Sequence, residues 1–173
     1  MRNLLLTMFL LLSSHSAYAC SAESPRDKAN FDSCLAHAQQ GNGYAQAIIG
    51  AMYRLGQGVT QDYKQAVKWN RKAAEQGVAI SQYNLGFMYF HGEGVTQDDE
   101  QTVKWYRKAA EQGYVEAQYN LAFLYVNGSG VTQDYALAHM WWDIAASSGL
   151  KDAIYNRDIL AKKMSSSQIE KAQ

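Results

Sequence analysis

The chain has 173 residues, enough for about one domain, and 47% of them are apolar, which excludes global disorder. Lysine plus arginine equals aspartate plus glutamate, 16 against 16, and with no basic runs the chain carries no electrostatic footprint for nucleic acid. Its single proline, Pro25, leaves the remainder free for long helices, since a ring inside a helix costs about 3 kcal/mol.

Residues 1–19, MRNLLLTMFLLLSSHSAYA, join a basic start at Arg2, an apolar run from Leu4 to Leu12 and the triplet Ala17-Tyr18-Ala19. That order reads as a secretory signal peptide with an A-x-A cleavage site. The alternative, a retained anchor, meets an apolar run too short to span a bilayer, which takes about 20 residues. No second apolar stretch follows, so the mature chain is expected to have no membrane span and to be exported to the periplasm or medium of a bacterium. Cleavage after Ala19 makes Cys20 the first mature residue. A lipid anchor at Cys20 is a second reading, although bulky Tyr18 fits a lipoprotein signal poorly. A third is a disulfide with Cys34, the only other cysteine; its loop of about 15 residues would add about 3 kcal/mol in an oxidising compartment. The sequence permits that pairing without forcing it.

Residues 20–40 read as an N-terminal segment with a capping helix, because His37-Ala38-Gln39-Gln40-Gly41 parallels Ala73-Ala74-Glu75-Gln76-Gly77. Three segments of identical length then follow without insertion, 41–76, 77–112 and 113–148. A fixed period in this range marks a solenoid, in which each unit buries its face on its neighbours. Each unit reads as two helices. In the second, Leu85, Gly86 and Tyr89 share one face, and Thr102, Trp105, Tyr106 and Ala109 share another. Between the helices the hexapeptide GVTQDY starts at Gly58, returns as GVTQDD at Gly94 and again as GVTQDY at Gly130. Its glycines turn the chain, and Asp62, Asp98 and Asp134 are expected to cap the second helices, with Gln65 and Gln101 completing capping boxes. Gly77, Gly113 and Gly149 close those helices. Small residues at 50, 86 and 122 let neighbouring helices approach, and Trp69, Trp105 and Trp141 are expected to fill the wider gaps. Residues 149–173 supply C-terminal capping helices, the last one begun by Ser165 three before Gln168.

The runs AQYNLGFMY, GEGVTQD and VKWYRKAAEQG resemble the Sel-1-like repeat family, a relative of tetratricopeptide repeats, over residues 41 to about 164. The resemblance implies an all-α fold, an α/α right-handed superhelical solenoid, working as an exported scaffold for a protein or peptide partner. A cysteine-rich branch of the family is associated with binding or hydrolysing β-lactams, which makes a β-lactamase-like protein the alternative. Residues 41–150 contain no cysteine, and that departs from the branch's pattern.

No catalytic residues, metal ligands or cofactor are expected. The Gly-x-Gly pairs lack the longer phosphate-binding pattern and a preceding strand. Ser148-Gly149-Leu150-Lys151 spells S-x-x-K without its partner motifs and spans an inter-repeat turn. His37, His91 and His139 occupy non-equivalent repeat positions. Lys68, Arg71, Lys104 and Arg107 read as a solvated outer face. Specificity is expected where repeats differ along one face of the first helices. The first repeat has Tyr44, Ile48, Ala51 and Leu55 there; the second has Ile80, Asn84, Phe87 and His91; the third has Glu116, Asn120, Phe123 and Asn127. In tetratricopeptide-like superhelices the first helices line the concave surface, so the partner-binding candidates are the second and third sets together with Asn156. The asparagines would pair with an extended backbone and Phe87 and Phe123 would anchor it. The opposing reading packs the two phenylalanines between repeats.

Overall fold

The computed structural model describes Cys20 and residues 27–172; the signal-peptide reading falls on 1–19, outside the described residues. The fold is all-α. Among the described residues the helices are α1 (Lys28–Gln39), α2 (Gly43–Leu55), α3 (Tyr63–Glu75), α4 (Ala79–His91), α5 (Asp99–Glu111), α6 (Val115–Asn127), α7 (Tyr135–Ser147), α8 (Lys151–Ala161) and α9 (Ser166–Ala172). They pack as two compact units, Met1–Gln76 and Gly77–Gln173. In the first unit α2 pairs with α3 and also lies on α1, around Phe31, Cys34, Ile49, Met52 and Trp69. In the second, α4 pairs with α5 and α6 with α7, while α5 meets α6 and α7 meets α8. Its core holds Tyr106, Leu121, Leu124, Tyr125, Trp142 and Leu160.

The hexapeptide is consumed by its own turn. Gly56, Gly92 and Gly128 are the left-handed C-caps of the first helices, and Gly58, Gly94 and Gly130 are also at positive φ. Its glutamine reaches back: Gln61 and Gln133 each donate from Nε2 to a carbonyl of the last helical turn, Arg54 and Val126, at 2.7 Å. Its aspartate reaches forward, Asp62 accepting from the Gln65 amide at 3.0 Å and Asp98 from the Gln101 amide at 2.9 Å. The reciprocal half of the expected capping box is replaced, because the Asp62 and Asp98 amides already donate to Tyr53 and Tyr89 carbonyls at 2.9 and 3.1 Å. A full box forms at α9, where Ser165 and Gln168 exchange both bonds.

The second glycine of the turn has a further task. A side chain on Gly58 would meet the Asp27 carbonyl oxygen at 2.3 Å, and one on Gly130 would meet that of Asp99 at 2.2 Å. Asp27 lies two repeat periods before Asp99, so α1 is in register with the second helices, as its sequence suggested. The first and third turns thus seat their glycines on the start of the preceding helix of that register.

The tryptophan stripe needs one correction. Trp69 and Trp105 are buried, but Trp141 is only half-buried and its neighbour Trp142 is the inward ring of α7. Lysine side chains cover the first two rings: Lys72 lies 4.8 Å over Trp69, and Lys104 and Lys108 lie 5.3 and 5.0 Å over Trp105. In α7 those register positions are Met140 and Ile144, and the ammonium–ring contacts are lost. The outer face also departs at Arg107, whose Nη2 donates to the Tyr125 hydroxyl at 2.8 Å.

Candidate functional site

The small position of each first helix meets one residue of its partner helix. A side chain added at Gly50 would collide with Asn70, and one added at Gly86 would lie 2.6 Å from a ring carbon of Tyr106. In the third repeat the register counterparts are Ala122 and Trp142. Trp142 meets Phe123 edge-on at 5.0 Å and donates from Nε1 to the Tyr119 carbonyl at 3.2 Å. Tyr106 is smaller and stacks instead on Tyr83, ring centres 5.4 Å apart. Burial, followed by the neighbouring Tyr83, pushes the Tyr106 hydroxyl far above the usual phenol range, offset only in part by a hydrogen bond from Asn120. Tyr106 is therefore a neutral structural phenol.

Above Tyr106 lies a cleft of about 410 Å³ between α4 and α6. Its apolar walls are Phe87, Phe90, Tyr106, Phe123 and Leu124, and its polar groups are His91, Asn120, Asn127 and Ser129. Among the described residues, no aspartate, glutamate, lysine or arginine lines it. His91 is exposed and flanked by two rings, Phe87 at 4.2 Å and Phe90 at 5.0 Å.

Five sequence candidates, Phe87, His91, Asn120, Phe123 and Asn127, are brought together in this cleft. Phe87 and Phe123 are half-buried against the core and line the cleft as well, so packing and exposure coexist. Ile80 and Glu116 are exposed near the starts of α4 and α6, outside the lining, as is half-buried Asn84. The remaining candidate, Asn156, has an internal task. Its Nδ2 donates to the Tyr119 hydroxyl at 3.0 Å, and Asn120 donates to Tyr83 at 3.3 Å in the same way. These rungs tie one first helix to the next, and they occupy amide donors that the sequence reading had offered to a partner. In the first repeat the register position of these tyrosines is Ala47.

Sequence reasoning missed Phe90, Leu124 and Ser129 of the cleft. It also missed a glutamine relay, Gln46 and Gln82 accepting from Gln76 and Gln112 at 2.7 and 2.6 Å. The recurrence of glutamine at 46, 82 and 118 on otherwise apolar faces was the available signal. Neither residue of the S-x-x-K pattern approaches the cleft; Ser148 ends α7 and Lys151 begins α8.

Cys20 and Cys34 form a disulfide. Cys34 is fully buried in the first unit's core. A lipid thioether at Cys20 and this bridge exclude each other, since both use the Cys20 sulfur.

Among known proteins, the Sel1 repeat model matches residues 43–78, 79–114 and 115–150. The solved structure of c5321, a protective antigen present in uropathogenic Escherichia coli strains and displaying an SLR fold, is 38% identical with a TM-score of 0.77. The match covers 84% of this chain and 31% of that one. A Sel1 repeat protein from Oxalobacter formigenes is 32% identical with a TM-score of 0.69, over 73% of this chain and 50% of the other. Helicobacter pylori cysteine rich protein B, 20% identical, shares the fold with a TM-score of 0.59 over 73% of this chain and 94% of its own. This chain thus spans about a third and a half of the lengths of the first two. No curated protein matches it.

Proposed function

The chain belongs to the Sel1 repeat family, and from that premise we propose that it is an exported, non-enzymatic scaffold that binds a protein or peptide along the concave face of its first helices. The observation that carries the reading is the cleft between α4 and α6. It gathers five of the positions at which the repeats differ, whereas the recurring residues of the turns are spent on the fold. An interaction scaffold needs this division: fixed joints, and variable side chains on one surface.

Export is supported by the leader-like segment 1–19 and by the disulfide, since a persistent bridge belongs to an oxidising compartment. With the Cys20 sulfur engaged, the released form is soluble in the periplasm or medium. No helix among the described residues is long and apolar enough to cross a membrane.

The test uses candidates that lie outside the cleft. Ile80→Asp, Asn84→Asp and Glu116→Arg together change the surface without entering the core. Purified wild type and variant are immobilised and offered envelope and culture-medium fractions, with circular dichroism as the control for folding. The expected result is a partner retained by wild type and at least tenfold depleted on the variant. Equal capture by a normally folded variant would remove the first-helix face from the reading.

A further inference from the structure

We propose that the cleft over Tyr106 is an anchor pocket that takes one uncharged aromatic side chain of an extended peptide and pairs with the peptide's backbone at its rim. The proposal rests on the scaffold reading and names what that scaffold grips.

The first argument is charge. The first helices expose ionisable groups elsewhere, Glu116 among them, yet the cleft is lined by none of the four strongly charged residue types. A carboxylate or ammonium placed there would lose water and meet no lysine, arginine or carboxylate partner, so the pocket disfavours charged side chains. The second argument is shape. About 410 Å³ lies within the range of small-ligand pockets, and the walls are three phenylalanines, a tyrosine and a leucine. Rings supply edge-to-face and offset contacts that favour an aromatic guest over an aliphatic one. The chain makes such a ring contact itself, where the Trp142 ring meets Phe123 edge-on.

The third argument is the rim. Asn127 is exposed on the last residue of α6, and Ser129 follows in the turn. A carboxamide offers both a donor and an acceptor, the complement of a peptide group. Apolar walls with an uncharged polar edge match an extended peptide that buries one ring and leaves its backbone at the surface. Asn120 contributes less at this edge, because its amide already holds Tyr83.

The experiment is solution NMR of the isotope-labelled full chain, titrated with blocked pentapeptides acetyl-Gly-Gly-X-Gly-Gly-amide, X being Trp, Phe, Ala, Asp or Lys. The Trp and Phe peptides should shift resonances of Phe87, Phe123, Asn127 and Ser129, with at least tenfold weaker binding for Ala, Asp and Lys. Asn127→Ala should weaken the Trp peptide about fivefold, through the lost rim bond. Gly86→Ala combined with Tyr106→Trp, which copies the third repeat, should abolish the shifts; Asn127→Ala serves if that pair does not fold. Equal binding of the Asp or Lys peptide, shifts mapping elsewhere, or no shifts at millimolar peptide would each overturn the pocket. Because the capture test above uses only residues outside the cleft, the pocket can fail while the scaffold reading stands.

Discussion

The two helix pairs α4/α5 and α6/α7 share a backbone plan and differ at one contact. In the first, Gly86 faces Tyr106; in the second, the register counterparts are Ala122 and Trp142. Tyr106 stacks on Tyr83 and leaves a cleft above it. Trp142 reaches Phe123, the register counterpart of the cleft-wall residue Phe87, and spans to the Tyr119 carbonyl. In a solenoid each unit rests on its neighbours, so the frame tolerates such an exchange locally. A binding surface can therefore be opened or filled by the ring size at one position, without altering the turns that set the frame.

The comparison breaks most visibly at Trp142. The ring is 4% exposed, and Trp142→Ala should destabilise by about 3–5 kcal/mol, from lost burial, the lost indole hydrogen bond and the cavity left behind. Chemical denaturation measures it, and a cost near that of a surface substitution would show that Trp142 is not the filler. Gly86→Ala should cost less, about 1–2 kcal/mol. The added carbon would sit 2.6 Å from the Tyr106 ring, which has Tyr83 stacked against it, and the better helix propensity of alanine offsets part of that crowding. Adding Tyr106→Trp should recover part of the loss, so the double-mutant cycle should be non-additive. A neutral Gly86→Ala would mean that the ring yields freely and that the small position is not what places Tyr106.

The frame was legible because it repeats. Three copies of the turn fixed the register, and the register gave the helices, the aspartate caps and the equivalence of α1 with the second helices. The first-helix face was found by subtraction, as the positions that the repeats do not share. What stayed hidden depends on contacts between side chains of different helices. Trp141 and Trp142 are adjacent, and only the packed structure says which ring turns inward. The asparagines recur beside tyrosines, yet Asn120 and Asn156 each bond the tyrosine of the preceding repeat, 37 residues away. Phe90 and Ser129 join the cleft from positions that periodicity gave no reason to single out. The disulfide was one of several fates for Cys20, because spacing alone carries no distance.

The smallest expected effect concerns the glutamine relay, and it sharpens the same contrast between repeats. In the second repeat Gln112 donates to Gln82 Oε1 at 2.6 Å and to the Lys108 carbonyl at 3.3 Å. In the third, Gln118 donates to the Ala110 carbonyl at 3.1 Å, but the residue in Gln112's place is Ser148, too short to reach. The Gln118 Oε1 atom is left buried without a hydrogen-bond partner. A buried acceptor without a donor carries a desolvation cost, so Ser148→Gln should stabilise the chain by about 0.5–1.5 kcal/mol. The reciprocal change, Gln112→Ser, should destabilise by a similar amount, since it leaves Gln82 as Gln118 now stands. Urea unfolding checks both as opposite shifts in midpoint at constant slope. Shifts of the same sign would mean that the relay's third position is satisfied by other means, and that the two repeats differ in their rings but not in their amides.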